Sequence, residues 1–405
     1  MRIKDKKPPS HSHRSPITDH RSPSSGNETA TKNINDYRKQ ARQIFNESSW
    51  PDPKNEVYRR TDLDFLRENK ISLKPIGFSM ELTQAAPGVI KPLGGSPTPK
   101  LFGQLIEARQ GKFQALSAAD FTDGVLIETA PGDNFEKPFI ARLGFESQNP
   151  EGCFLYRNLI SLAKGSRLTY IEESNGRDNL PRFQLGATEI FLEEGSELNY
   201  VVIQELTDAY KSFLFESAHL GPGSKLNLYH FEAGAGLRYL NIASHCAKPN
   251  ATSNLTTAML GKKNQNFDAY VVQRHQAPHT QSDMLWKTAL WDKSKSSFLG
   301  LIQIEKGADG TQAFQTTHNL LLSDQAKAIP DPRLEILADD VQAKHAATAG
   351  HIDEEQLFYL ESRGIDRDQA EKIMTRGFFA ETLQRLPPSA HWEIELRLER
   401  HLDGV

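Results

Sequence analysis

The chain has 405 residues, 38% of them hydrophobic and 25% charged, with a formal net charge of -4 and an isoelectric point near 6.4. That length allows one large buried core or several domains, and the charge balance argues against nucleic acid or an anionic membrane as the main partner. No apolar run approaches the roughly 18 residues that cross a bilayer. The only cysteines, Cys153 and Cys246, form no CxxC pattern. Neither a disulfide framework nor a cysteine metal site is indicated, and a reducing, cytoplasmic compartment is expected.

Residues 1–33 hold Pro8, Pro9, Pro16 and Pro23, many serines, His11, His13 and His20, and almost nothing apolar. Such a segment buries too little surface to offset its ordering entropy, so it reads as a disordered tail with solvated histidines. It lacks the apolar stretch of a secretory signal. From Ile34 the apolar residues Tyr37, Ala41, Ile44 and Phe45 recur at three- and four-residue intervals, the spacing of one helix face. Pro51 and Pro53 break that run. A second short helix is expected over Asp62–Glu68, and residues 74–100, rich in Pro and Gly, read as an irregular linker.

Over 101–350 the pattern becomes strand-like. Leu168 alternates with Tyr170, Leu198 with Tyr200 and Val202, and Leu226 with Leu228. Each run follows a Gly-Ser-x-Leu quartet, and the quartets start at Gly165, Gly195 and Gly223, 30 and 28 residues apart. A turn signal and a short strand returning at such a period predict a solenoid, in which each coil buries its face against its neighbours. For strands that means a parallel β-helix or a long meandering sheet. An antiparallel β-sandwich with coincidental spacing is the competing arrangement.

Residues 351–405 are expected to be helical. Asp353 is placed to cap a helix, with Gln356 three residues on, and Leu357, Phe358 and Leu360 on its apolar face. Gly364 is placed to end it. Asp366 caps the next helix, whose inward residues are Ala370, Ile373 and Met374, up to Gly377. A last amphipathic helix over Ala390–His401 carries Trp392, Leu396 and a Glu393–Arg397 pair at i,i+4.

The sequence holds few catalytic signals. No Gly-x-x-x-x-Gly-Lys-Ser/Thr is present, so the chain is expected to bind and hydrolyse no nucleotide. Gly-x-Ser-x-Gly and His-Glu-x-x-His are also missing. His275 and His279 are four apart, but Pro278 opposes the helix that would align them on a metal. Asp339 and Asp340 would point to opposite faces of a strand and read as a turn or strand-edge pair.

Several motifs carry a resemblance. Glu56–Leu63 reads EVYRRTDL, residues 113–125 read FQALSAADFTDGV, and His279–Asp283, Phe298–Ile302 and Leu320–Ser323 follow in order. Pro332–Gly364 reads PRLEILADDVQAKHAATAGHIDEEQLFYLESRG. In this order they resemble the SufB/SufD scaffold proteins of iron–sulfur cluster assembly, across most of residues 56–380. Tyr58 stands where that family usually has Trp, and Asp120 where an apolar residue is usual. The fold so implied is mainly β, a right-handed parallel β-helix core flanked by small N-terminal and C-terminal α-helical domains.

The SufD branch fits better than SufB. SufB-type chains carry a Glu-His-Glu-like triplet where this chain has Lys344-His345-Ala346, and a cysteine where it has Phe358-Tyr359-Leu360-Glu361-Ser362-Arg363-Gly364. The SufD pattern D-D-V-x-C-S-H-G-A-T is matched from Asp339 to Thr348, with Ala343 for the cysteine, Lys344 for the serine and Ala346 for the glycine. The resemblance makes His345 a candidate ligand for a transient iron or iron–sulfur cluster shared with a SufB-like partner, an interface histidine without metal being the alternative. It also implies a heterodimer formed through the β-helix, and a SufC-like ATPase docked on the C-terminal helices, with Leu357, Phe358, Leu360, Arg363 and Phe378 as candidate docking residues. Two other readings stand beside the non-catalytic scaffold. One is a β-helix enzyme acting on polysaccharide, for which Asp339, Asp340 and Arg333 are the nearest candidates; the other is a solitary SufD-like interaction module.

Overall fold

The computed structural model describes residues 34–404 except 69, 84–85, 87, 95–99 and 150, and the tail expected over residues 1–33 lies outside the described residues. Helices α1 (Ile34–Glu47) and α2 (Asp64–Arg67) come first, then three short strands, β1 (Pro75–Ile76), β2 (Ser79–Thr83) and β3 (Ile90–Pro92), and helix α3 (Lys112–Asp120). The stretch read as a linker therefore contributes strands. Eight strand pairs follow, beginning with β4 (Val125–Glu128) and β5 (Phe139–Gly144), β6 (Cys153–Leu162) and β7 (Arg167–Gly176), and β8 (Arg182–Leu192) and β9 (Glu197–Leu206). Next come β10 (Tyr210–Leu220) and β11 (Lys225–Ala233), β12 (Leu237–Cys246) and β13 (Thr252–Gly261), and β14 (Asn266–His275) and β15 (Gln281–Leu290). The last pairs are β16 (Lys295–Ile304) with β17 (Thr311–Leu321) and β18 (Lys327–Ile336) with β19 (Val341–His351). Helices α4 (Glu354–Ser362), α5 (Arg367–Arg385) and α6 (Pro388–Asp403) complete the described chain.

The even-numbered strands from β4 to β18 form one parallel ladder and the odd-numbered strands from β5 to β19 another, so each coil crosses both sheets. This is a parallel β-solenoid. Among the described residues only β2 with β5 and β3 with β4 pair antiparallel, at its N-terminal end, which sets aside the antiparallel sandwich. The alternation seen in the sequence faces the interior. Leu168, Leu198 and Leu226 stack in register, as do Tyr170, Tyr200 and Leu228.

The Gly-Ser-x-Leu quartets are the corners of the coil. Gly165, Gly195 and Gly223 have φ of 69°, 66° and 60°, a left-handed conformation that costs glycine little. Each donates its N–H to a carbonyl of the next coil, on Glu194, Pro222 and Pro249, at 2.8–2.9 Å. The following serines are buried and donate their hydroxyls to the carbonyls of Ala163, Glu193 and Gly221. Asn250, His279 and Gly310 continue this corner with φ of 62°, 58° and 71°. His279 is thus a turn residue. His275 faces the interior, hydrogen-bonded to Thr280 at 2.8 Å and Ser282 at 2.9 Å, so the two histidines share no site.

Helical segments cover the outer faces of both sheets. Tyr58, Phe65 and Phe113 pack on Leu185, Phe213 and Tyr239 of the even sheet. Phe379, Leu383, Ile394 and Leu398 pack on Val201, Phe231 and Leu260 of the odd sheet. Fully burying one such side chain is worth about 1.5–3 kcal/mol, which is why α5 runs through Gly377 to Arg385 rather than stopping there. The inward face of α5 is Ala370, Thr375, Phe379 and Leu383, and Ile373, expected inward, is exposed. The Glu393–Arg397 pair is present at 2.8 Å, and Arg397 also reaches Glu173 at 3.1 Å and Glu205, fastening α6 to the solenoid.

Candidate functional site at the open end of the solenoid

The solenoid ends on β18 and β19, whose outer edges pair with no strand among the described residues. Stacking stops there, so side chains that would be interior in any earlier coil meet solvent. Leu334 and Ile336 of β18 sit in register over the buried Ile302 and Ile304 of β16, yet are 37% and 40% exposed. Ile329 and Leu337 are also exposed. A row of uncovered apolar side chains along unpaired strand edges is the kind of surface on which another chain can pair. The sequence held a signal for it: the last strand repeat, with apolar Leu334 and Ile336, is followed by helix instead of another coil.

His345 lies on this end. It pairs in register with Gln315, which stacks on Met284 and then Leu255, so it continues an interior column and is exposed as its last member. Ala343 continues the neighbouring column over Ala313, and Lys344 lies over Phe314. The imidazole is therefore presented on the open layer without a thiolate beside it. Among the described residues no three His, Cys, Asp or Glu side chains gather in a metal-binding geometry. His345 stands as a single imidazole donor on this layer.

Two sequence motifs 277 residues apart meet here. Arg333 donates to Glu56 at 2.6 Å and to Asp331 at 2.9 Å, and Arg59 reaches Asp331 at 3.3 Å. The hydrogen bonds from Arg333 hold both carboxyls below their usual range. Arg333 is thus engaged in fastening β18 to the N-terminal segment, and Asp339–Asp340 sit in the turn between β18 and β19, where the Asp340 carbonyl accepts from Gly310 at 2.7 Å. Arg333 and Asp340 are thus held in structural contacts.

Ile352 and Asp353 alone connect β19 to α4. Asp353 caps α4, accepting from the N–H groups of Glu355 at 2.9 Å and Gln356 at 3.2 Å. Gly364, with φ 84°, ends it: its N–H donates to Glu361 and that of Ile365 to Leu360, the paired closure of a Schellman motif. Of the candidate docking residues, Leu357 is fully buried and anchors the helix from below. Phe358 is 72% exposed, Arg363 is exposed, and Leu360 and Phe378 are half-buried. Phe378 packs edge-on against Phe379 and lies under Lys287. Tyr359, beside Phe358 and 57% exposed, was not singled out by sequence, and Trp392 of α6 is exposed rather than packed.

The family described as SUF system FeS cluster assembly, SufBD core domain, matches residues 145–378, more than half of the chain. The iron-sulfur cluster assembly protein SufD of Escherichia coli is 29% identical over 231 residues, 57% of this chain and 55% of that protein. A chloroplastic SufBD family protein of Arabidopsis thaliana is 22% identical over 314 residues, covering 75% of this chain and 56% of its own. A SufBD family protein of Mycobacterium leprae is 30% identical over 206 residues. The chain spans about half the length of these relatives. No helix among the described residues is long and apolar enough to cross a membrane. With its parallel solenoid, the order of its motifs and a core-domain match over most of the coils, the chain belongs to the SufBD family of iron–sulfur cluster assembly proteins, on the SufD branch.

Proposed function

We propose that the chain is a non-catalytic SufD-type scaffold subunit that pairs its open solenoid end with a SufB-like subunit and docks a SufC-like ATPase through α4 and its surroundings. The observation that carries this reading is the uncovered last coil, where exposed apolar side chains, unpaired strand edges and His345 share one surface. The cargo is iron or a nascent iron–sulfur cluster. His345 offers it one imidazole nitrogen, and with Ala343 in the cysteine position the thiolate ligands come from the partner. Phe358, Leu360 and Arg363 supply the docking face of α4, with Leu357 holding the helix in place and Phe378 extending the surface along α5. Closure of two ATPases would then bias a two-state interface between sealed and open arrangements.

Coexpression with SufB-like and SufC-like partners, anaerobic copurification and an iron and sulfide assay test the proposal. A complex of all three is expected. His345→Ala is expected to leave the complex intact while iron and sulfide per complex fall several-fold. Failure of the SufB-like chain to copurify overturns the pairing, and unchanged metal content in the variant overturns the ligand role.

A further inference from the structure

The interior of the solenoid is polar where a solenoid core is ordinarily dry. His230 lies fully buried between two carboxylates, with Nε2 2.9 Å from Glu216 and Nδ1 3.0 Å from Glu232. Both ring nitrogens must donate, so the ring is an imidazolium. Arg238 makes a bidentate pair with Glu232 at 2.8 and 2.9 Å, which completes a balanced cluster of two cations and two anions.

Polar groups continue from this cluster toward the open end. The column above His230 is Thr257, then Trp286, then Thr317 in successive coils, and its last member is the exposed Ala347. Thr257, Trp286 and Thr317 are fully buried, and Thr257 Oγ1, Trp286 Nε1 and Thr317 Oγ1 have no protein hydrogen-bond partner. Both amide atoms of Gln315, two residues from Thr317 and beneath His345, are also unpartnered. On the facing sheet, Glu216 Oε1, Ser244 Oγ and Gln273 Oε1 are unpartnered, and their residues are among those around a mostly apolar cavity of about 10 Å³.

Each buried polar atom left unpaired destabilises the fold, and native interiors hold few of them. Valine at 257 and 317 would remove the penalty with no change of shape. Successive coils lie about 4.8 Å apart. That is too far for a direct hydrogen bond and close to the span of one bridging water. The cavity beside Glu216 is about one water in size.

We propose that the solenoid interior binds a file of ordered waters along this column, joining the His230 cluster to the open end and exchanging protons between them. Each exchange passes one proton between neighbouring waters and leaves the cluster's charge unchanged. That the outlet faces a SufB-like partner rests on the function proposed above. The file itself does not, and it is measured on the full chain alone.

Tryptophan labelled with 15N gives four indole signals, one for each tryptophan, and Trp286→Phe assigns the one of interest. The Trp286 indole N–H is expected to exchange with D2O at least 100-fold faster than the backbone amides of β15. Thr317→Val is expected to slow that exchange at least tenfold while amide protection stays the same. An indole as protected as the β15 amides, in the unsubstituted chain, overturns the proposal. So does a high-resolution crystal structure with no ordered water within hydrogen-bond distance of Thr257 Oγ1 or Trp286 Nε1.

Discussion

Glu172 shows how much one interior residue can decide. It is fully buried and accepts from Tyr170 at 3.0 Å, Tyr200 at 3.1 Å, Tyr156 at 3.3 Å and Asn158 at 2.7 Å. Burial pushes its carboxyl up to about 7, more than the tyrosine hydrogen bonds pull it back. The folded chain therefore keeps a proton that the unfolded chain releases near pH 4.5. The associated stability is full below that value and is lost as pH rises through about 7. Glu172→Gln is expected to remove about 3 kcal/mol of this pH dependence between pH 5 and 8, measured as the unfolding free energy in urea across that range. An unchanged slope means the carboxyl is ionised in the fold. None of this was legible in the sequence, because Glu172 and Glu173 look alike there. One points inward, and the other points outward to Arg397. His345 was singled out because a motif marked it, not because its chemistry did.

At the level of elements, the corners explain which repeats could be read and which could not. Three coils carry Gly-Ser, and their period was visible. The next two put Asn250-Ala251 and His279-Thr280 at the same corner, with the same positive φ and the same inter-coil hydrogen bonds from Asn250 and His279. The physical requirement persists while the letters change. A Cβ at Gly195 meets nothing within 4 Å, so Gly195→Ala tests the backbone alone. It is expected to cost about 1–2 kcal/mol, read from the urea midpoint. The helix boundaries were legible at Asp353, Gly364 and Asp366, where capping chemistry is local, and illegible at Gly377, where packing overrides propensity. For α4 itself, Phe358→Ser is expected to leave the unfolding midpoint unchanged and to abolish copurification of the ATPase. Undiminished copurification would remove this helix from the docking surface.

For the whole molecule, the open end proposed as an interface is also a hazard. Exposed strand edges with apolar neighbours invite pairing with any similar edge. The chain expressed alone is expected to self-associate at micromolar concentration, by sedimentation, and Leu337→Lys to suppress that association together with copurification of the SufB-like subunit. A monomeric unsubstituted chain would show that the end is adequately covered by itself. The Glu56–Arg333 pair has a consequence for how the molecule is made. A solenoid can grow coil by coil, because each coil needs only its predecessor. Glu56 has no such neighbour: its partner lies 277 residues further along the chain. The N-terminal segment, already packed through Tyr58 on Tyr239, thus gains its last fastening only when the final coil is complete.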